Sequence, residues 1–151
     1  MEAMVHITTR LLKKAFPFLL VLAGLMAVSA QAPLAEESDT DAEIQETILL
    51  QIEAFANDDK ESAWGYASEG VKRRFGSSDV FISMVREVYP AVHRATTIEF
   101  TERIPHGPFE IQAVRLQGPD GKLWDAFYRM VKTNGEWKVA GVQMRPADFG
   151  V

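Results

Sequence analysis

The sequence has no cysteine, which excludes disulfides, thiolate metal sites and a lipid-modified N-terminal Cys. Basic residues are outnumbered: sixteen Lys and Arg stand against twenty-one Asp and Glu, for a formal net charge of −5 and a pI near 5.2. Nonspecific nucleic-acid binding needs the opposite surplus, facing phosphate. Histidine is scarce, three in all, and no two of them have metal-ligand spacing with an acidic third partner. A Gly-rich phosphate loop, a Ser nucleophile elbow and a zinc-binding helix motif are all missing. What is present is ordinary for a globular chain, 47% apolar and 25% charged. Its 151 residues are enough for one domain whose core needs no covalent staple.

The N-terminus carries Arg10, Lys13 and Lys14, then the apolar run 15–28 and the small residues Ser29, Ala30, Gln31 and Ala32. A basic segment, a short apolar segment and a small-residue segment are the three parts of a secretory signal peptide. A membrane anchor needs about 20 apolar residues, and this run is shorter and interrupted by Pro17. Val28 and Ala30 suit the positions before a cut, so cleavage is expected after Ala30. Cutting after Ala32 would leave Pro33 as the next residue, a poor choice. Removal of residues 1–30 takes away Glu2 and three basic groups, moving the formal charge from −5 to −7. An export signal on a cysteine-free chain fits a bacterial periplasm or the extracellular space.

Residues 31–40 are small, acidic and aperiodic and read as a flexible leader. The domain proper is expected over 41–151. A first helix should start near Asp41, with Thr40 and Glu43 in capping-box spacing. Ile44, Ile48, Ile52 and Phe55 form its apolar stripe. A short second helix is expected over Glu61–Ser68, stopped by Gly70, with a further helical turn over Val71–Phe75. Ser77 or Ser78 should cap a third helix that turns Phe81, Met84, Val85 and Val88 inward and breaks at Pro90.

After Ala95 the period changes from helical to alternating. Strands are expected over Thr96–Arg103, Phe109–Gln117, Lys122–Thr133 and Glu136–Arg145, separated by IPHGP, GPDG and the favoured Asn134-Gly135 hairpin signal. Helices followed by a meander imply an α+β class: three N-terminal helices packed on a curved four-stranded antiparallel sheet.

Turn positions set register, and register sets faces. Centring GPDG between Pro119 and Asp120 pairs Gln117 with Lys122; centring Asn134-Gly135 pairs Thr133 with Glu136. One face then holds Phe109, Ile111, Ala113 and Arg115 with Trp124, Ala126, Tyr128 and Met130 and with Trp137, Val139, Gly141 and Gln143. Being richer in aromatics, it should receive the helices. The other face would expose Val114, Phe127, Val131, Val142 and Met144, an apolar patch suited to homodimerisation, with Glu110 opposite Arg129 as a cross-strand ion pair.

Phe75-Gly76, Met84-Val85-Arg86, Tyr89-Pro90, Val114-Arg115-Leu116, Asp120-Gly121, Trp124, Tyr128, Trp137-Lys138-Val139 and Gly141 together resemble the bacterial domain of unknown function 4864 family. That family is placed among the nuclear transport factor 2-like, or cystatin-like, cone folds. The resemblance covers roughly residues 44–145 and rests on turn and core residues, so it implies a fold more than an activity. Where the family pattern often carries a Cys after the glycine of the last strand, this chain has Val142, and a role resting on that thiol is absent. The cone fold hosts isomerases, dehydratases, ligand binders and protein-interaction modules alike, so fold alone does not settle function.

Within the expected register, Trp124, Tyr128, Arg115 and Gln143 are the pocket candidates. Tyr128 could donate to an oxyanion, yet the last three strands place no carboxylate on that face, Asp125 pointing away. Glu99 or Glu102 of the first strand could supply an acid, though Glu99 alternates away from Ile98 and Phe100. Arg115 on an apolar face needs a counter-charge or a route to solvent: it pairs with a helix carboxylate such as Glu53 or snorkels out at the sheet edge, or else it anchors an acidic ligand. His93 and His106 read as ordinary surface or loop histidines, with an acid–base role in the cone's mouth as the alternative, and Lys72-Arg73-Arg74 as a solvated helical face, with a local phosphate or partner contact as the alternative. The expected function is a cofactor-free, metal-free binding module, its ligand small and apolar or acidic, or its partner a protein. The alternative is an isomerase- or dehydratase-like enzyme using the same pocket.

Overall fold

The structure, a computed structural model, describes residues 32–148; the expected signal peptide lies outside the described residues. Among the described residues, five helical segments precede the sheet: α1 (Ala32–Ala56), α2 (Lys60–Gly65), α3 (Glu69–Phe75), α4 (Ser78–Val88) and α5 (Pro90–His93). Four strands follow, β1 (Thr97–His106), β2 (Phe109–Gln117), β3 (Leu123–Thr133) and β4 (Glu136–Pro146), hydrogen-bonded in sequence order as an antiparallel meander. The helices pack on one face of this sheet, and the core lies between the layers. No helix among the described residues is long and apolar enough to cross a membrane.

Local chemistry accounts for most helix boundaries. Asp59, Ser68 and Ser77 are N-caps whose side chains accept from Ser62 N, Val71 N and Val80 N at 3.1, 3.3 and 3.3 Å. Gly76, at φ 79°, ends α3 in the left-handed conformation. Pro90 stops α4 and opens α5, where its missing N–H is no loss. Gly70 therefore does not terminate a helix: the segment expected as one helix with a trailing turn divides at Ser68, whose hydroxyl claims the first turn of α3.

Helix α1 starts at Ala32, ahead of the expected Asp41, so residues 32–40 join the helix instead of forming a separate leader. The capping box does not form, because Thr40 lies inside α1 and not at its N-terminus; Glu43 Oε2 accepts from Trp137 Nε1 and Lys132 Nζ, both at 3.1 Å. Glu37 and Asp41, one helical turn apart, share Arg103, a side chain only 9% exposed. Glu110 Oε2 binds the same guanidinium at 2.8 Å. Burial alone would lower the Arg103 pKa, but hydrogen bonds to Asp41 and Glu110 outweigh it and raise it.

Two β-bulges set the faces of the sheet. In β1 the pairing slips between Phe100↔Val114 and Arg103↔Gln112, so Thr101 and Glu102 together oppose Ala113. The extra residue turns Arg103 inward towards α1. Gln112, fully buried, satisfies the bulge by donating its Nε2 to the Glu102 and Ala113 carbonyls at 3.2 and 3.0 Å. In β4 the pairing slips between Met130↔Val139 and Arg129↔Gly141, leaving Ala140 as the extra residue. Val139 is held there by backbone bonds to Tyr66 O and Ser68 N, both 2.9 Å, from the α2–α3 link.

These features correct the expected faces. The Asn134-Gly135 hairpin pairs Thr133 with Glu136 as expected, both turn residues having positive φ. The preceding reversal centres on Asp120, pairing Gln117 with Leu123 instead of Lys122. That single-residue shift turns Val114 and Leu116 inward beside Ala126 and Trp124, and sends Arg115 outward opposite Asp125. The Ala140 bulge likewise turns Val142 and Met144 inward opposite Tyr128 and Ala126, and Gln143 outward opposite Phe127. Val114, Val142 and Met144 therefore leave the outer patch expected for homodimerisation; only Phe127 and Val131 stay on that face. Arg145 lies over the Phe127 ring at 4.8 Å and Arg129 over Phe109 at 4.4 Å. Glu110 pairs with Arg103, not with Arg129.

Arg103→Ala leaves three carboxylates around an apolar gap. The expected result is faster amide exchange in residues 37–43, with exchange at Ile48–Phe55 unchanged, and a loss of about 2 kcal/mol in stability. Unchanged exchange at the start of α1 would show that Arg103 does not hold it.

Candidate functional site

The four residues expected to share a pocket are split between places. Arg115 lies on the outer face, its Nε donating to Asp125 Oδ1 at 3.0 Å; that hydrogen bond raises its pKa. Gln143 is exposed on the same face. Trp124 borders a shallow depression with Leu123 and Pro146 at the far end of the sheet. Tyr128 is fully buried in the core, and its hydroxyl finds no protein partner among the described residues. Desolvation raises its pKa well above that of an ordinary phenol, so it stays protonated.

A cavity between the helical layer and β4 measures about 450 Å³, inside the roughly 300–1,000 Å³ range of small-molecule sites. Each wall follows from a feature of the fold. Helix α1 contributes Gln51 and Phe55; α4 contributes Phe81, Met84, Val85 and Val88. The bulged stretch of β4 supplies Val139, Ala140, Gly141 and Val142, which a regular strand would have divided between two faces. Helix α3 closes the outer side with Val71, Arg74 and Phe75. The rings of Phe55 and Phe75 each lie 5.7 Å from Phe81, which also meets Trp64 at 5.6 Å, all tilted. Gly70, Arg74 and Val88 are exposed and form the rim.

No Asp, Glu or His lines this cavity among the described residues. Gln51, 1% exposed, donates Nε2 to the Ala63 carbonyl at 3.1 Å and so stiffens the contact between α1 and α2. No cluster of three or more His, Asp and Glu residues suited to a metal ion occurs among the described residues.

Away from the cavity, Asp58 gathers three cationic or ionisable side chains. His93 Nε2 lies 2.9 Å from its Oδ1, Arg86 Nη2 3.1 Å from Oδ1 and Arg94 Nη2 2.7 Å from Oδ2. Arg94 also donates to the Ala56 carbonyl. Asp58 is held at φ 53°, a conformation that Asp and Asn tolerate better than most residues. His93, expected as an ordinary loop histidine, is buried as the pin that docks α5 on the end of α1. His106 stacks on Phe109 with ring centroids 4.7 Å apart beside the Gly107-Pro108 turn.

The sequence reading missed the cavity because its α4 wall looked like core. Phe81, Met84 and Val85 do pack inward, but Val88 continues the stripe and is 60% exposed. Spacing alone groups Val88 with Phe81, Met84 and Val85, so the sequence carries no sign that this end of the stripe is left open.

Two substitutions test these assignments. The hydrogen bonds from His93 and Arg86 hold the Asp58 carboxyl below the usual carboxylate range. Its contribution is therefore present above the ordinary value of 3.8 and lost as pH falls through the lower folded value. Asp58→Asn keeps the left-handed turn, so it should lower the neutral-pH melting temperature and flatten the acid limb; coincident acid limbs contradict the assignment. Tyr128→Phe removes a hydroxyl without a protein partner and should leave stability within about 1 kcal/mol of the parent or above it. A larger loss, by chemical denaturation, would show that the hydroxyl is bonded.

Comparison with known proteins agrees with this architecture. Residues 37–149 match the model of a domain of unknown function, DUF4864. A crystal structure of an NTF-2-like protein of unknown function from Silicibacter pomeroyi DSS-3 superposes with a TM-score of 0.53 at 16% identity, covering 74% of this chain and 98% of that one. At that identity the likeness speaks for fold alone. No curated protein matches the chain. The family match spans most of the sequence and the structural match reproduces the helices-on-sheet arrangement: the chain belongs to the DUF4864 family and has a nuclear transport factor 2-like cone fold.

Proposed function

We propose that the domain is an exported, non-catalytic binding module that holds a small apolar molecule in the cavity between α1, α3, α4 and β4. The observation that carries this reading is the cavity lining: aromatic and aliphatic on every wall, with no carboxylate or imidazole among the described residues. A binder needs only an apolar space and one or two polar anchors. An isomerase or dehydratase needs a group of displaced pKa inside the pocket to move a proton. The strongly shifted phenol, Tyr128, is not part of the lining. Export is supported by the basic, apolar and small-residue segments of residues 1–32. A cell envelope or extracellular setting gives a carrier of poorly soluble molecules an evident use.

Calorimetric titration of the full chain with decanol tests the reading. The protein should bind it with one-to-one stoichiometry and a negative heat-capacity change, the mark of apolar burial. Val142→Phe, placed at a half-buried lining position, should weaken binding at least about tenfold by filling the space, with the melting temperature kept. Binding that is unaffected by Val142→Phe would move the site elsewhere, and no binding by the parent protein would overturn the reading.

A further inference from the structure

We infer that the ligand of this cavity is an anionic amphiphile, an acyl chain ending in a carboxylate, whose headgroup is held by Arg74. The inference rests on the cavity being a ligand site and adds the chemistry at its mouth.

The polarity of the site is graded along a chain of neighbouring side chains. Phe55, 2% exposed, lies 5.7 Å from Phe81, and Phe81 lies 5.7 Å from Phe75. Next comes the Arg74 guanidinium, its carbon 5.5 Å from the Phe75 ring centroid. Three rings thus lead from the buried interior to an exposed cation, and all four residues line the cavity. Arg74 is the one charged side chain in that lining among the described residues. An apolar tail with a negative end repeats this order of polarity.

The cation is also uncommitted. Of the three basic residues in the last turn of α3, Lys72 is paired with Glu69 at 3.3 Å. No carboxylate among the described residues lies within ion-pair distance of Arg74. In a chain with a surplus of acids, a free guanidinium beside an apolar opening is available to an incoming anion, and its planar fork suits a carboxylate. The competing explanation is that Arg74 merely offsets the negative end of the α3 dipole. Arg73 is its control: it occupies the same turn, is exposed and does not line the cavity.

The experiment compares decanoate with decanol on the full chain and on Arg74→Gln and Arg73→Gln, by calorimetry at low and high salt. The expected result is that Arg74→Gln weakens decanoate about fivefold while decanol stays within about twofold. Arg73→Gln should change neither ligand. Added salt should weaken decanoate binding to the parent protein and leave decanol unaffected. If both ligands bind and Arg74→Gln moves them equally or not at all, the headgroup assignment is overturned while the cavity stands. If Arg73→Gln matches Arg74→Gln, the effect is general helix or surface charge and the assignment also fails. If neither ligand binds the parent protein, the cavity reading itself is overturned.

Discussion

Register is the constraint on which the rest of the molecule depends. A strand alternates its side chains, so one extra residue reverses every contact beyond it. The Ala140 bulge in β4 brings Val142 and Met144 under the helices and lays four consecutive residues along the cavity wall. Val139, immediately before the bulge, is fastened on its free edge to the link between α2 and α3. The bulge in β1 performs the matching task at the opposite edge by turning Arg103 towards Glu37 and Asp41. Buried Gln112 satisfies the carbonyls that this second bulge leaves unpaired. Both edges of the sheet are thereby tied to helices, and the curved surface between them carries the core.

The order of the strands, the Asn134-Gly135 hairpin, a serine cap on α4 and the break at Pro90 were legible in the sequence because each depends on local chemistry, although β1 runs on to His106 through residues expected as loop. The helix starting at Ala32 was not, because what holds it is Arg103, far along the chain. The faces of β2 were misread for a similar reason. Gly118–Lys122 closes as a five-residue loop centred on Asp120, with Gly118 N bonded to Lys122 O and Gly121 at positive φ. The letters GPDG suit a shorter turn just as well. The local sign of the β4 bulge is Gly141, a glycine inside a strand, which the alternating pattern alone passes over; the strand is fastened there by the backbone of Tyr66 and Ser68. Arg115 and Gln143 followed those strands onto the wrong face, while Tyr128, on correctly oriented β3, was placed inside as the structure has it.

Electrostatics and apolar packing are kept apart in this fold. Ion pairs gather where segments dock: Asp58 at the α1–α2 turn, Arg103 under the start of α1, and Asp125 between Arg115 and Arg145 on the outer face. The cavity wall is left almost free of charge, with Arg74 alone at its rim.

The most direct test of the account is methyl-resolved NMR of the full chain during titration with decanoate. Saturable shifts should concentrate at the methyl groups of Val85, Val88, Val92, Val139 and Val142, with those of Leu123 and Val131 unmoved. Shifts centred on Leu123 beside Trp124, or on the outer face at Val131, would contradict the assignment of the β4-walled cavity as the binding site.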